Sequence, residues 1–274
     1  MFYFYESTIQ KMNKLEAIFL GIIQGLTEFL PISSSGHLEI VKALFGNESI
    51  GKESLFLTLV LHFGTALSTM VVFRKEIKEI LLGVFSFKPN EKRELAFKII
   101  ISMIPAVFVG LFFQAEIEML FSQNLILVGI MLLVTAAFLF LADLVKNTKK
   151  AVSFLNAFLV GIIQAIAIFP GISRSGFTIS SAILLGIDRE KAARFSFLMV
   201  LPLIFGSMTK TALDLKTIPE NINQSSLLLG FIFAFISGIL ACNWMISMVK
   251  KSQLKYFGFY CVIIGGLTIF YGLF

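Results

Sequence analysis

Charge is what this chain has least of. Only 15% of its 274 residues are Asp, Glu, Lys or Arg, against 57% hydrophobic. A domain wetted on all sides carries nearer a quarter charged. No such surface can be made here, and the continuous apolar runs place the chain in a bilayer as an integral membrane protein. Cysteine is nearly absent: Cys242 and Cys261 stand in separate apolar runs without metal-ligand or redox spacing, so they read as packing residues. No basic cluster sits on a soluble module, which argues against nucleic acid as a partner. The N-terminus shows no short apolar segment ending in a small-residue cleavage site, so no cleavable signal peptide is expected. Met1–Lys11 reads as a dispensable leader, an interfacial segment or the product of an upstream start codon.

What the chain has in abundance is apolar length. The aromatic excess is mostly Phe, which suits lipid-facing helices. Six stretches are near the ~20 residues that a spanning helix needs: Leu55–Phe73, about Phe97–Gln114, Leu125–Leu144, Phe195–Leu213, Ser226–Val249 and Tyr256–Phe274. Two other segments are interrupted. Leu15–Leu30 stops at Pro31 and resumes over Gly36–Phe45; Ala151–Phe169 stops at Pro170 and resumes over Gly176–Gly186. Each pair reads as a helical hairpin that enters the membrane and turns back, because non-helical backbone at that depth must line an enclosed or wet cavity.

The expected fold is therefore all-α, with six transmembrane helices plus two re-entrant helical hairpins. A leader over 1–14 precedes a first repeat over 15–145 and a second over 146–274, together one membrane domain. Three crossings per repeat is an odd number, so the second repeat enters from the opposite side, an inverted-topology repeat. The 23 Lys and Arg test this. Leaving aside Arg174 in the break of the second hairpin, sixteen fall in the loops after the first, third and fifth crossings and on the flanks of that hairpin, and six on the other side. The richer side is cytoplasmic, which puts both termini outside.

The interrupted segments also carry the polar residues. Gly21–Gly36 reads GIIQGLTEFLPISSSG and Gly161–Gly176 reads GIIQAIAIFPGISRSG, nine of sixteen positions identical. Ser33, Ser34 and Ser35 precede a short helix near Gly36, and Ser173, Arg174 and Ser175 precede another near Gly176. Serines there cap free N–H groups, and helix dipoles add partial positive charge. Two such ends facing one another make an anion pocket, with glycines admitting close backbone approach. Arg174 adds a full charge in a fork matched to phosphate oxygens. Small residues also serve tight helix packing in membranes, but an intramembrane Arg is costly unless used.

The two copies differ where chemistry would require it. Glu28 aligns with Ile168, Ser34 with Arg174 and His37 with Phe177, so one half brings acid, hydroxyl and imidazole and the other brings the cation. Gln24 and Glu28, four apart, share a helix face. Glu28 can hold a divalent cation, take a proton, or form a structural ion pair with Arg174. His37, three residues after Ser34, can activate its hydroxyl or protonate a leaving oxygen. His62, inside the first crossing, reads as a helix–helix hydrogen-bond partner. Glu39, Lys42 and the run from Asp188 to Arg194 read as solvated or snorkelling interface charges.

QGLTEFLPISSSGH at Gln24–His37 and PGISRSGFT at Pro170–Thr178 resemble the two motifs of the undecaprenyl-diphosphate phosphatases, or bacitracin-resistance proteins. GIDREKAARFSFLMVLP, Gly186–Pro202, is similar to that family too, and the likeness covers essentially the whole chain after Met12. The resemblance implies an enzyme of the bacterial plasma membrane. It removes the terminal phosphate of undecaprenyl diphosphate, the spent lipid carrier of peptidoglycan synthesis, and thereby gives tolerance of bacitracin. It also implies a divalent cation, Mg²⁺ or Ca²⁺, and an active site open to the outer face; a homodimer is an allowed assembly. On matching positions Glu28, Ser34, His37 and Arg174 carry over as the core site. Gln24, Ser33, Ser35, Gly36, Ser173, Ser175, Gly176 and Thr178 surround the substrate, and Glu28 and Gln24 are the metal candidates. Ser34 is the expected nucleophile, with His37 or Glu28 as its base and a metal-activated water as the rival route. A lipid-phosphate transporter built on the same inverted repeats is the alternative function.

Overall fold

A computed structural model describes residues 13–44, 52–86, 90–113, 116, 124–214 and 223–273; the leader Met1–Lys11 lies outside them. The described chain is an all-α integral membrane protein. Its helices are α1 (Lys14–Phe29), α2 (Ser34–Leu44), α3 (Lys52–Val72), α4 (Arg74–Val84), α5 (Glu91–Phe112), α6 (Leu125–Leu144), α7 (Phe154–Ile166), α8 (Arg174–Leu184), α9 (Arg189–Asp214), α10 (Gln224–Lys250) and α11 (Lys255–Leu273). Asn side chains cap α1, α5, α6 and α10, and Ser side chains cap α7 and α8, each taking a backbone N–H that has no intrahelical acceptor.

Among the described residues α5, α6, α9, α10 and α11 are long and apolar enough to cross a bilayer, and α3 with α4 makes a sixth candidate bent by 78°. The bend differs from expectation. Arg74 onward reads as a polar loop in the sequence, yet Arg74–Val84 is a helix. Its Ile77 and Ile80 pack on the core while Leu81, Leu82 and Val84 are exposed, the pattern of a helix lying along an interface. Arg194 of α9 pairs with both Glu76 of α4 and Glu190, and Glu190 also pairs with Lys250 of α10 at 2.9 Å. Arg189, expected among solvated charges, is instead 2% exposed. Its guanidinium donates to the carbonyls of Ala142 and Val145 at 3.0 and 2.8 Å and so satisfies the C-terminus of α6, which has no further turn to accept from.

The two interrupted segments are pairs of short helices. α1 spans only ~24 Å and α7 ~20 Å at 1.5 Å per residue, less than the ~30 Å hydrocarbon core. α1 ends because Pro31 drives Leu30 into an extended conformation (φ −69°, ψ 145°). α7 ends three residues earlier than the sequence suggests, since 167–169 form turns, with Phe169 N–H bonded to the Ile166 carbonyl at 3.2 Å.

Each pair leans on the opposite half of the chain: α1 packs along α10, and α7 along α5. Aligned glycines make both contacts possible. A Cβ at Gly21 would lie 2.4 Å from the Gly230 carbonyl oxygen, and one at Gly161 would lie 2.4 Å from that of Ser102. α6 and α11 pair through Gly129 and Gly265 in the same way. The core between them centres on Phe197, whose ring meets Phe29 edge-on at 5.7 Å and Phe73 at 6.0 Å. Cys242 and Cys261 are buried and unbridged, while Leu111, Phe112, Ile263, Leu267 and Phe270 face outward, as lipid contact demands.

Backbone-to-backbone contact leaves a side chain nowhere to go. Gly21→Leu and Gly161→Leu will each destabilise the protein by about 1–3 kcal/mol or more, read as a lowered melting temperature in detergent. Gly266→Ala, where nothing lies within 4 Å, will leave that temperature unchanged.

Candidate active site

The breaks within the helix pairs are built alike. Ser33 Oγ accepts the Gly36 N–H and Ser173 Oγ accepts the Gly176 N–H, both at 3.1 Å. These caps start α2 and α8 at Ser34 and Arg174, two residues ahead of the glycines where the sequence suggested they begin. Ser33 turns through φ 71°, an uncommon conformation for a residue with a side chain. Gly171 in the other break has φ 88°, and a Cβ there would meet the Val128 carbonyl oxygen at 2.5 Å. The two breaks abut: Cβ atoms on Gly176 and Gly36 would lie 3.2 Å from Pro31 Cβ and 3.3 Å from Gly171 Cα, and the Ser175 hydroxyl donates to the Leu30 carbonyl at 3.2 Å. Gly36 and Gly176 thus bring the breaks together rather than facing a ligand.

Glu28, in the last turn of α1, is the centre of the arrangement. It is 7% exposed. One carboxylate oxygen, Oε1, accepts from Arg174 Nη2 of the other pair. The second, Oε2, accepts from the Ser34 hydroxyl at 2.7 Å and from Gln24 Nε2 at 3.0 Å, and His62 Nε2 stands 3.8 Å away. A carboxylate this buried requires such partners, and removing one member of a buried ion pair costs about 3–5 kcal/mol.

Beside Glu28 opens a cavity of about 390 Å³. Thr27, Glu28, Ser34 and Ser35 line it from the first pair, Gln164, Ser173, Arg174 and Ser175 from the second, and His62 from α3. Ala106 and Gly110 of α5 with Val200, Leu203 and Ile204 of α9 supply an apolar wall. A polar end against an apolar wall is a receptacle for an amphiphile whose head is anionic.

Not every expected residue joins it. His37 was expected to share a face with Ser34; its ring instead donates from Nδ1 to the Ser33 carbonyl at 2.8 Å, and Nε2 accepts from the Tyr260 hydroxyl at 2.8 Å. It stacks on Tyr260 at 5.6 Å and does not line the cavity. The reason is local: the Ser33 carbonyl lies one turn back along α2 and captures the ring. Thr178 is turned to Ser196, 2.6 Å away, and to the Arg174 carbonyl. Ser33 and Gln24 act from behind, one as a cap and the other on Glu28.

Two lining residues were not anticipated in these roles. His62, expected to bond a neighbouring helix, donates from Nδ1 to the Thr58 carbonyl of its own helix at 2.8 Å and turns Nε2 to Glu28. Nothing in its local sequence could have signalled this. Gln164 could have been found, since it aligns with Gln24. Its amide is 3% exposed, with no hydrogen-bond partner at either end; leaving such a group buried and unpaired costs about 1–3 kcal/mol.

The donors fit a divalent cation shared with a phosphorylated ligand better than a protein-enclosed one. Among the described residues no three His, Cys, Asp or Glu gather in metal-binding range. Glu28 is the one carboxylate among the described residues lining the cavity, and a hard oxygen donor of the kind such an ion takes alongside phosphate oxygens and water. Gln24, the other expected metal ligand, is fully buried behind it and does not reach the cavity.

Comparison with known proteins points the same way. The family model described as bacitracin resistance protein BacA matches residues 17–267. A protein of Christiangramia forsetii named undecaprenyl-diphosphatase is 56% identical over 260 residues, covering 95% of this chain and 98% of its own length. Proteins with the same name from Bacteroides fragilis and Methanococcus vannielii are 48% and 41% identical, covering 94% of this chain in both cases and 98% and 100% of their own lengths. With a match of that extent enclosing every residue of the cavity, the chain belongs to the BacA bacitracin-resistance family.

Proposed function

We propose that this protein is an undecaprenyl-diphosphate phosphatase. It hydrolyses undecaprenyl diphosphate to undecaprenyl phosphate and inorganic phosphate, recycling the lipid carrier of peptidoglycan synthesis and conferring bacitracin resistance. The observation that carries this reading is one carboxylate, Glu28, holding a serine hydroxyl at 2.7 Å on one oxygen and an arginine on the other. Relatives named undecaprenyl-diphosphatase over nearly their full length support it.

In the proposed reaction the isoprenoid lies along the apolar wall between α5 and α9 and the diphosphate enters the polar end. Ser34 Oγ attacks the terminal phosphorus while its proton passes to Glu28 Oε2. The bond from that phosphorus to the bridging oxygen breaks, and undecaprenyl phosphate leaves with the bonding electrons. Glu28 passes the serine proton to the departing undecaprenyl phosphate. Water, giving a proton to the freed Glu28, then attacks the phosphoserine phosphorus. As the bond to Ser34 Oγ breaks, Glu28 returns the proton to Oγ and inorganic phosphate is released. As Glu28 gains its proton it loses its hold on Arg174, whose fork is then free to neutralise phosphate oxygens together with the first-turn amides of α2 and α8. Such charge stabilisation dominates phosphoryl transfer. Glu28, braced from behind by Gln24, would hold Mg²⁺ or Ca²⁺, and the bound ion would supply positive charge to offset that of the diphosphate. His37 serves as a positioning residue, tying the Ser33 turn that aims Ser34.

The inverted-repeat organisation, with repeats over 15–145 and 146–274, draws support from the exchanged packing of α1 on α10 and α7 on α5. The sixteen-to-six division of Lys and Arg favours a plasma-membrane orientation with both termini and the cavity mouth on the outer face.

Purified protein in detergent, given undecaprenyl diphosphate and Mg²⁺, will release phosphate without any membrane gradient; a transporter will not. Ser34→Ala and Arg174→Ala will each lower kcat about 100-fold or more, and wild type quenched during turnover will carry phosphate on Ser34 by mass spectrometry. Turnover of Ser34→Ala near wild type would exclude the serine route. His37→Ala will lower kcat with little change in KM, and Tyr260→Phe will cost less, because the bond from His37 to the Ser33 carbonyl survives it.

A further inference from the structure

Gln164 occupies the position in the second motif that Gln24 holds in the first, yet the two amides have different fates. Gln24 gives its Nε2 to Glu28 four residues on, at 3.0 Å. The residue four on from Gln164 is Ile168, which has nothing to accept with and itself lines the cavity. Gln164 is nevertheless 3% exposed, with Nε2 and Oε1 both unpartnered. A glutamine kept for packing would be bonded to its surroundings, as buried amides are.

The other polar side chains around the cavity are already engaged with the protein. Arg174 and Ser34 bond to Glu28, Thr27 and Ser207 donate to the carbonyls of Ile23 and Ile204, and His62 is tied to Thr58. Among the described lining residues, Gln164 is the one whose buried amide is held in reserve at both ends. It stands in the same cavity as Arg174, the one full positive charge among the described lining residues. A diphosphate ester carries more negative charge and more acceptor oxygens than one guanidinium can satisfy. An amide N–H supplies a further donor without a further buried charge.

We infer that Gln164 is a substrate-binding residue of this site, its Nε2 donating to a phosphate oxygen of the diphosphate head. The inference deepens the phosphatase reading and rests on it for the identity of the ligand. A bond made to the head both before and during the reaction contributes to binding in both states, so its loss appears in KM rather than kcat.

The test is Gln164→Leu, which keeps the volume and removes both polar ends, with Gln164→Met as a second variant should leucine impair folding. Farnesyl diphosphate in detergent serves as substrate, and inorganic pyrophosphate as the binding probe in a thermal-shift measurement. KM will rise about 10- to 100-fold with kcat within about threefold. The stabilisation by pyrophosphate seen in wild type will be lost. The melting temperature without ligand will stay level or rise, because an unpaired buried amide has been replaced by an apolar group. A lowered melting temperature with wild-type KM and an intact pyrophosphate shift would overturn the inference and make Gln164 a packing residue. Absence of phosphate release by wild type would instead defeat the phosphatase reading, and the pyrophosphate shift judges Gln164 independently of it.

Discussion

The ion pair between Glu28 and Arg174 is the constraint on which the rest of the molecule turns. Each belongs to a different helix pair, 146 residues apart in the chain, and each would be prohibitively costly in a bilayer without the other. Their union fixes where the two breaks meet, and that meeting point defines the cavity. Glu28 also holds Ser34, so the contact that neutralises two buried charges orients the hydroxyl proposed for chemistry. Stability and reactivity share one carboxylate.

Holding two helix ends against one another requires backbone that ordinary residues do not adopt easily. Ser33 and Gly171 both sit at positive φ, and the serine caps start α2 and α8 early enough to put Ser34 and Arg174 in the first turn. The surrounding helices keep that geometry in place: Thr135 of α6 accepts the Ser173 N–H at 3.1 Å, and Tyr260 of α11 holds His37. Exchanged packing of α1 on α10 and of α7 on α5 means that neither pair can shift without disturbing the other half. A strained turn persists when its surroundings determine it this fully.

The near-symmetry of the frame makes the asymmetry of its contents informative. Aligned glycines perform the same packing task in both halves, and aligned serines perform the same capping task. Where the copies diverge, at Glu28 against Ile168 and Ser34 against Arg174, the divergence fills one cavity with complementary groups. Gln164 is a consequence of the same substitution, since losing a carboxylate partner frees its amide. The apolar wall from α5 and α9 gives the polar end an axis and suits it to a molecule with a long tail.

The helical class, the six candidate crossings, the breaks at Pro31 and Pro170, and the convergence of Glu28, Ser34 and Arg174 were all legible in the sequence, because hydrophobic length, proline geometry and a duplicated polar motif are local signals. The order of the elements follows from them. Local signals could not say which way a side chain turns once helices pack. His37 and His62 exchanged the places expected of them because the Ser33 carbonyl and Tyr260 captured one ring while α3 carried the other to Glu28. Arg189 became a buried cap for α6, and α4 became a helix laid against Arg194, since both depend on partners far along the chain. Sequence determined which chemical groups enter the membrane and where the backbone breaks; only tertiary structure decided which of them share a cavity, because that depends on the summed packing of helices that no single segment encodes.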